Sequence, residues 1–179
     1  MGRKLRLLVS ACAALSTLSC SRQTPADGFK DLKYGMSIAA LKEHGFDCMP
    51  DQYECSQPSH SIRNSDTLFG KKAEVSIYTK NGHLATITVN VELTPDELID
   101  LFTRELGKPR TYTYVGHYDD QREADYWLSK SNTAILVYRL RNKSLGSEVP
   151  RSWADYLGPE QTKSLIEEAA ANSIRKGDF

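Results

Sequence analysis

Long apolar runs are scarce in this 179-residue chain, and neither sign of charge prevails. Lys and Arg total 23 and Asp and Glu total 23, so the formal net charge is zero. That balance gives no global pull toward nucleic acid, and no nucleic-acid partner is expected. Catalytic punctuation is missing too. Ser144-Leu145-Gly146-Ser147 is not the G-x-S-x-G elbow, and neither a P-loop nor H-E-x-x-H occurs. Scattered catalytic residues stay open, but the reading is a non-enzyme that needs no cofactor and no metal. His44 falls at a helix end, where a cation suits the dipole, and His83 falls beside a turn. Both read as surface positions.

The start, MGRKLRLLVSACAALSTLSC, carries Arg3, Lys4 and Arg6 ahead of an uncharged stretch from Leu7 to Ser19. As a helix that stretch rises only about 20 Å, short of a bilayer core of roughly 30 Å. It reads as an export signal rather than a membrane span. Leu18, Ser19 and Cys20 resemble a bacterial lipobox, in which the cysteine is lipidated, although Thr17 stands where the family prefers leucine. VSAC, ending at Cys12, is a second candidate, but it leaves only Leu7 to Ala11 as apolar core. An ordinary secretory signal and a cytosolic chain are the competing readings. The lipobox resemblance implies palmitate-type acylation of Cys20, with Ser21 favouring the outer membrane. The expected organisation is a signal over 1–19, a tether over 20–28 and one domain over 29–179. The signal takes three of the basic residues and none of the acidic ones, which leaves a mature net charge of −3.

Only four cysteines occur. If Cys12 leaves with the signal and Cys20 carries lipid, Cys48 and Cys55 remain, in FDCMPDQYECSQ. Two short strands around a Pro-Asp-Gln turn would bring these sulfurs together in an oxidising periplasm. A metal or redox pair is the alternative. The spacing is not C-x-x-C, and no second Cys/His pair with ligand spacing follows. A structural disulfide is expected.

Periodicity then sets the fold. In YGMSIAALKEHG, Ser37 is an N-cap and Gly45 a helix stop. Ala73, Val75 and Ile77 alternate with polar residues, Asn81-Gly82 makes a tight turn, and Ala85, Ile87, Val89 and Val91 return as a second strand. LTPDELIDLFTRELGKP is a helix with a Thr94/Glu97 capping box, Pro95 at its first position and an apolar stripe. RTYTYVG, ADYWLS and TAILVYRL read as three strands, and 159–176 as a C-terminal helix. The expectation is an α+β domain: short helices packed on one face of an antiparallel meander sheet, with two tandem helix–β repeats over 30–92 and 94–140. The repeats rest on element order rather than on letters.

YGMSIAALKEHG and LTPDELIDLFTRELGKP resemble the helical motif of small SmpA/OmlA (BamE-like) outer-membrane lipoproteins, which ends in Leu-Gly-x-Pro. Leu106-Gly107-Lys108-Pro109 matches that ending, whereas Glu43-His44-Gly45-Phe46 lacks the proline. The helix-plus-sheet tandem also looks like the β-lactamase-inhibitor protein fold. Together the resemblances cover about residues 29–140. They imply a non-catalytic protein-binding domain facing the periplasm, serving as an envelope assembly accessory or adaptor. The alternatives are an inhibitor of a periplasmic or exogenous hydrolase and a cell-envelope enzyme. Tyr and Trp are favoured interface anchors, so Tyr112, Tyr114, Tyr118, Asp119, Tyr126 and Trp127 are the candidate partner-binding residues. Of Tyr126 and Trp127, alternation sends one inward. The loop HYDDQRE, residues 117–123, has carboxylates that suit calcium, but Arg122 sits among them and no D-x-D-x-D-G pattern exists. It reads as a solvated loop.

Overall fold

The computed structural model describes residues 27–48, 54–56, 66–115, 121–139 and 152–177. In chain order the elements are β1 (Gly28–Phe29), β2 (Leu32–Lys33), α1 (Ile38–Glu43), β3 (Glu54–Ser56), β4 (Thr67–Leu68), β5 (Lys71–Lys80), β6 (His83–Val91), α2 (Pro95–Leu106), β7 (Arg110–Val115), β8 (Gln121–Leu128), β9 (Ala134–Tyr138), β10 (Ser152–Leu157) and α3 (Pro159–Gly177). The fold is α+β. The main sheet is antiparallel in the order β3-β5-β6-β10-β9-β8-β7, and β4 pairs on the side with β5.

Local chemistry explains several of these elements directly. Asn81 and Gly82 both take positive φ, 52° and 76°, which closes the β5–β6 hairpin. The α2 helix begins with the complete capping box, in which Thr94 Oγ1 accepts from the Glu97 amide and the Glu97 carboxylate accepts from the Thr94 amide. At α1, the Ser37 hydroxyl accepts from the Ala40 amide, and Gly45 follows with φ 87°.

The sheet is not a simple meander. SWADYL, which is not among the expected strands, forms β10 and slots between the two hairpin systems. Its Ser152–Leu157 register runs against Val91–Thr86 of β6, and its Ala154–Leu157 register against Val137–Ala134 of β9. Strand β3 pairs with β5 through Glu54↔Tyr78, Cys55↔Ile77 and Ser56↔Ser76. The expected turn over 49–53 lies outside the described residues.

Both faces of the sheet are packed. One buries Val75, Ile77, Ile87, Val89, Val137, Ala154 and Tyr156 with Leu41 of α1 and Leu98, Ile99 and Phe102 of α2. Phe102 is the aromatic hub there, with ring centroids 4.9 Å from Phe69, 5.4 Å from Trp127 and 6.4 Å from Tyr156. The other face buries Tyr112, Ala124, Tyr126, Leu136 and Leu157 beneath Leu165 and Ala169 of α3. The C-terminal helix therefore sits on the opposite side from α1 and α2. A strand that buries residues on both faces leaves little polar alternation, which is why AILVY reads as one apolar run.

Candidate functional site

The face under α3 continues past the helix onto β10, β6 and β5. Register places three rows of side chains on it. Glu74, Asn90 and Trp153 form one, Ser76, Thr88 and Asp155 the next, and Tyr78, Thr86 and Leu157 the third. Tyr78 is the most exposed aromatic in the region, at 42%. Among the described residues, α3 covers the β7–β9 side of this face, while the β5–β6 side carries short polar groups.

An aromatic chain links the two sides. Trp153 lies 5.9 Å from Tyr138 between ring centroids, Tyr138 lies 5.7 Å from Tyr114, Tyr114 lies 5.6 Å from Tyr112, and Tyr112 lies 6.0 Å from Tyr126. Tilted and edge-on pairs of this kind add about 0.5–1.5 kcal/mol each beyond area burial. The α3 helix clasps the far strand, where Asn172 Nδ2 donates to the Thr113 carbonyl at 3.0 Å. Between α3 and the sheet runs a groove of about 290 Å³, with Lys80, Leu136, Tyr138, Gln161, Ser164 and Glu168 among its walls.

Asp155 sits at the junction of the polar and aromatic sides. Thr88 Oγ1 donates to its Oδ1 at 2.6 Å, and the Tyr138 hydroxyl bonds to it as well. Burial pushes the Asp155 carboxyl above the usual range, and the two hydrogen bonds only partly offset this. Burial also raises the Tyr138 and Tyr112 phenols, helped by the charge of Asp155 at Tyr138 and of Glu168 at Tyr112. These phenols stay neutral donors at any ordinary pH. The arrangement is a polar–aromatic surface. Among the described residues, no group of three or more His, Cys, Asp or Glu is placed to hold a metal.

The six residues read from the sequence as partner-binding divide. Tyr112 and Tyr126 are buried beneath α3, and Tyr114 is half-buried beside them. Trp127 is buried on the opposite face, where its indole N–H donates to the Gly107 carbonyl at 2.8 Å. Alternation was expected to send one of Tyr126 and Trp127 inward. Both are inside, because each face has its own cover. Tyr118 and Asp119 lie outside the described residues, as does Cys20. Cys48 is fully buried. Cys55 lies opposite Ile77 on β3, and its side chain is outside the described residues.

Trp153, Asp155 and Tyr138 were missed as a site. The signal was present: Trp153, Asp155 and Leu157 alternate with Ala154 and Tyr156, between Pro150 and Gly158-Pro159. No protein-family model matches the chain, and the searches of curated proteins and of solved structures likewise returned no match.

Proposed function

We propose that this chain is an exported lipoprotein, anchored in the outer membrane through acylated Cys20, whose domain binds a protein partner in the periplasm without catalysing a reaction. The observation that carries the binding part is the surface around Trp153, Tyr138 and Tyr78. Large amphipathic rings there adjoin short polar side chains, Ser76, Thr88 and Asn90. Such a mixture suits a protein interface, where aromatic anchors supply area and a polar rim supplies hydrogen bonds. The anchoring part rests on the charged n-region, the short apolar stretch and Leu18-Ser19-Cys20. The accessory or adaptor role rests on the BamE-like resemblance alone.

Two finer structural readings belong to the same proposal. Cys48 and Cys55 form the structural disulfide of an exported domain. The halves led by α1 and α2 are a tandem helix–β repeat joined by β10. The mirrored strand order, β3-β5-β6 then β9-β8-β7 on either side of β10, supports the repeat.

The test is crosslinking in intact cells from a photoreactive residue at Ser76 or Asn90, read by mass spectrometry. Recovery of a discrete protein from these positions, and not from Arg104 on the exposed side of α2, is expected. Recovery of no protein, or the same set from all three positions, overturns the binding proposal.

A further inference from the structure

The placement of Asp27 shows which end of the domain lies nearest to Cys20 along the chain. The Ser131 hydroxyl donates to the Asp27 carboxylate. Gly28 follows with φ 154°, packed so closely that a Cβ would fall 1.8 Å from the Leu32 carbonyl oxygen. Phe29 is buried 5.3 Å from Tyr156 between ring centroids. The Gly35 amide donates to the Leu84 carbonyl at 2.9 Å, and the Ile38 amide to the Gly82 carbonyl at 3.2 Å. Residues 27–38 are thus held against one end of the sheet.

That end is defined by the topology. Strands β6 and β9 both run antiparallel to β10, so their starts lie together. The β5–β6 turn at Asn81-Gly82, the β8–β9 turn at Lys130–Asn132, the end of β10 and the start of α3 share it. Exposed Lys33, Lys130, Glu160 and Lys163 stand there, while exposed Lys71 and Lys72 stand at the opposite end. The opposite end carries Val91, Glu92 and Arg139, the start of β10, and the termini of β7 and β8 that face residues 116–120.

We propose that the Asn81–Lys130–Pro159 end of the domain faces the lipid headgroups and the Glu92–Arg139 end points away from the membrane. The inference rests on the lipidation of Cys20. Its core is a comparison of two lengths. Seven residue steps separate Cys20 from Asp27, at most about 25 Å when fully extended. Eight steps of β6, from His83 to Val91, already span about 27 Å. The tether runs out before the far end of the sheet reaches the surface, whereas the near end reaches it with length to spare. The Trp153–Tyr138–Tyr114 chain then lies toward the end that a periplasmic partner meets first.

The test uses the full lipidated protein in vesicles of phosphatidylethanolamine and phosphatidylglycerol with nitroxide-bearing headgroups. A small fluorescent residue is placed at Lys130 or at Glu92. Quenching several-fold stronger at Lys130 is expected, and equal or reversed quenching overturns the orientation. A long Gly/Ser insertion after Ala26 is expected to erase the contrast. A contrast that survives the insertion overturns the role given to tether length. The intact mass of the same sample separates the two levels. Acylated protein with equal quenching overturns the orientation alone, while an unacylated chain overturns the lipoprotein reading and the orientation with it.

Discussion

Asp155 and Asp125 are both sheet carboxylates, and they meet opposite settings. Asp125 is fully buried on the α2 face, where Thr111 Oγ1 donates to one oxygen and the Arg139 guanidinium to the other. Asp155 has hydroxyl donors and no cation bonded to it among the described residues. Removing Arg139 would strand a buried charge. Arg139→Ala is expected to cost about 2–3 kcal/mol in urea unfolding, toward the low side for a broken buried pair because Arg139 is partly exposed. Asp155 is tested by pH. Its pKa is raised on folding, so the folded state keeps a proton that the unfolded chain has released. Stability therefore falls as pH climbs from about 4, the unfolded value, through the raised folded value. Asp155→Asn removes that slope. Unfolding curves across this window are expected to converge at low pH and to favour the variant increasingly as pH rises. Parallel curves would refute the assignment.

At the scale of elements, legibility follows the range of the forces. The α2 helix was readable because its proline and its stripe lie within one 12-residue segment and its cap directly precedes it. Thr94→Ala removes the side-chain half of the capping box, leaving the residue-94 amide still able to donate to the Glu97 carboxylate, and is expected to cost about 1 kcal/mol, seen as a lower urea midpoint with an unchanged slope. The β5–β6 hairpin was readable for the same reason, since its turn residues and alternation are local. Strand β10 carries a local alternation, but its place in the sheet was not readable, because its partners Thr86–Val91 and Ala134–Val137 lie far away in the chain. Asp155 also interrupts its apolar pattern, and only Thr88 and Tyr138 explain a carboxylate there. The burial of Tyr112 and Tyr126 was equally hidden, because the α3 residues that cover them, Leu165 and Ala169, lie 39 to 57 residues downstream. Tyr156 measures how much β10 matters. Tyr156→Ala deletes contacts to Phe29 and Phe102 at the centre of the core and is expected to cost about 3–5 kcal/mol. A loss below about 1 kcal/mol would show that β10 is peripheral to stability.

At the scale of the whole molecule, the compartment and the contact surface come from different parts of the chain. The N-terminal 20 residues carry the reading of where the protein works, and the polar–aromatic side of the sheet carries the reading of what it does there. The described helices include none long and apolar enough to cross a membrane, so the proposed attachment rests on Cys20. A single acyl chain holds a protein only marginally, whereas several chains hold it firmly. Intact mass of the protein extracted from the membrane fraction, compared with Cys20→Ala, is the most direct measurement. The expected result is a chain beginning at Cys20 with added acyl mass, and a Cys20→Ala protein that leaves the membrane fraction without it. An unmodified chain, or a Cys20→Ala protein with the same mass increment and the same fractionation, would contradict the lipoprotein reading.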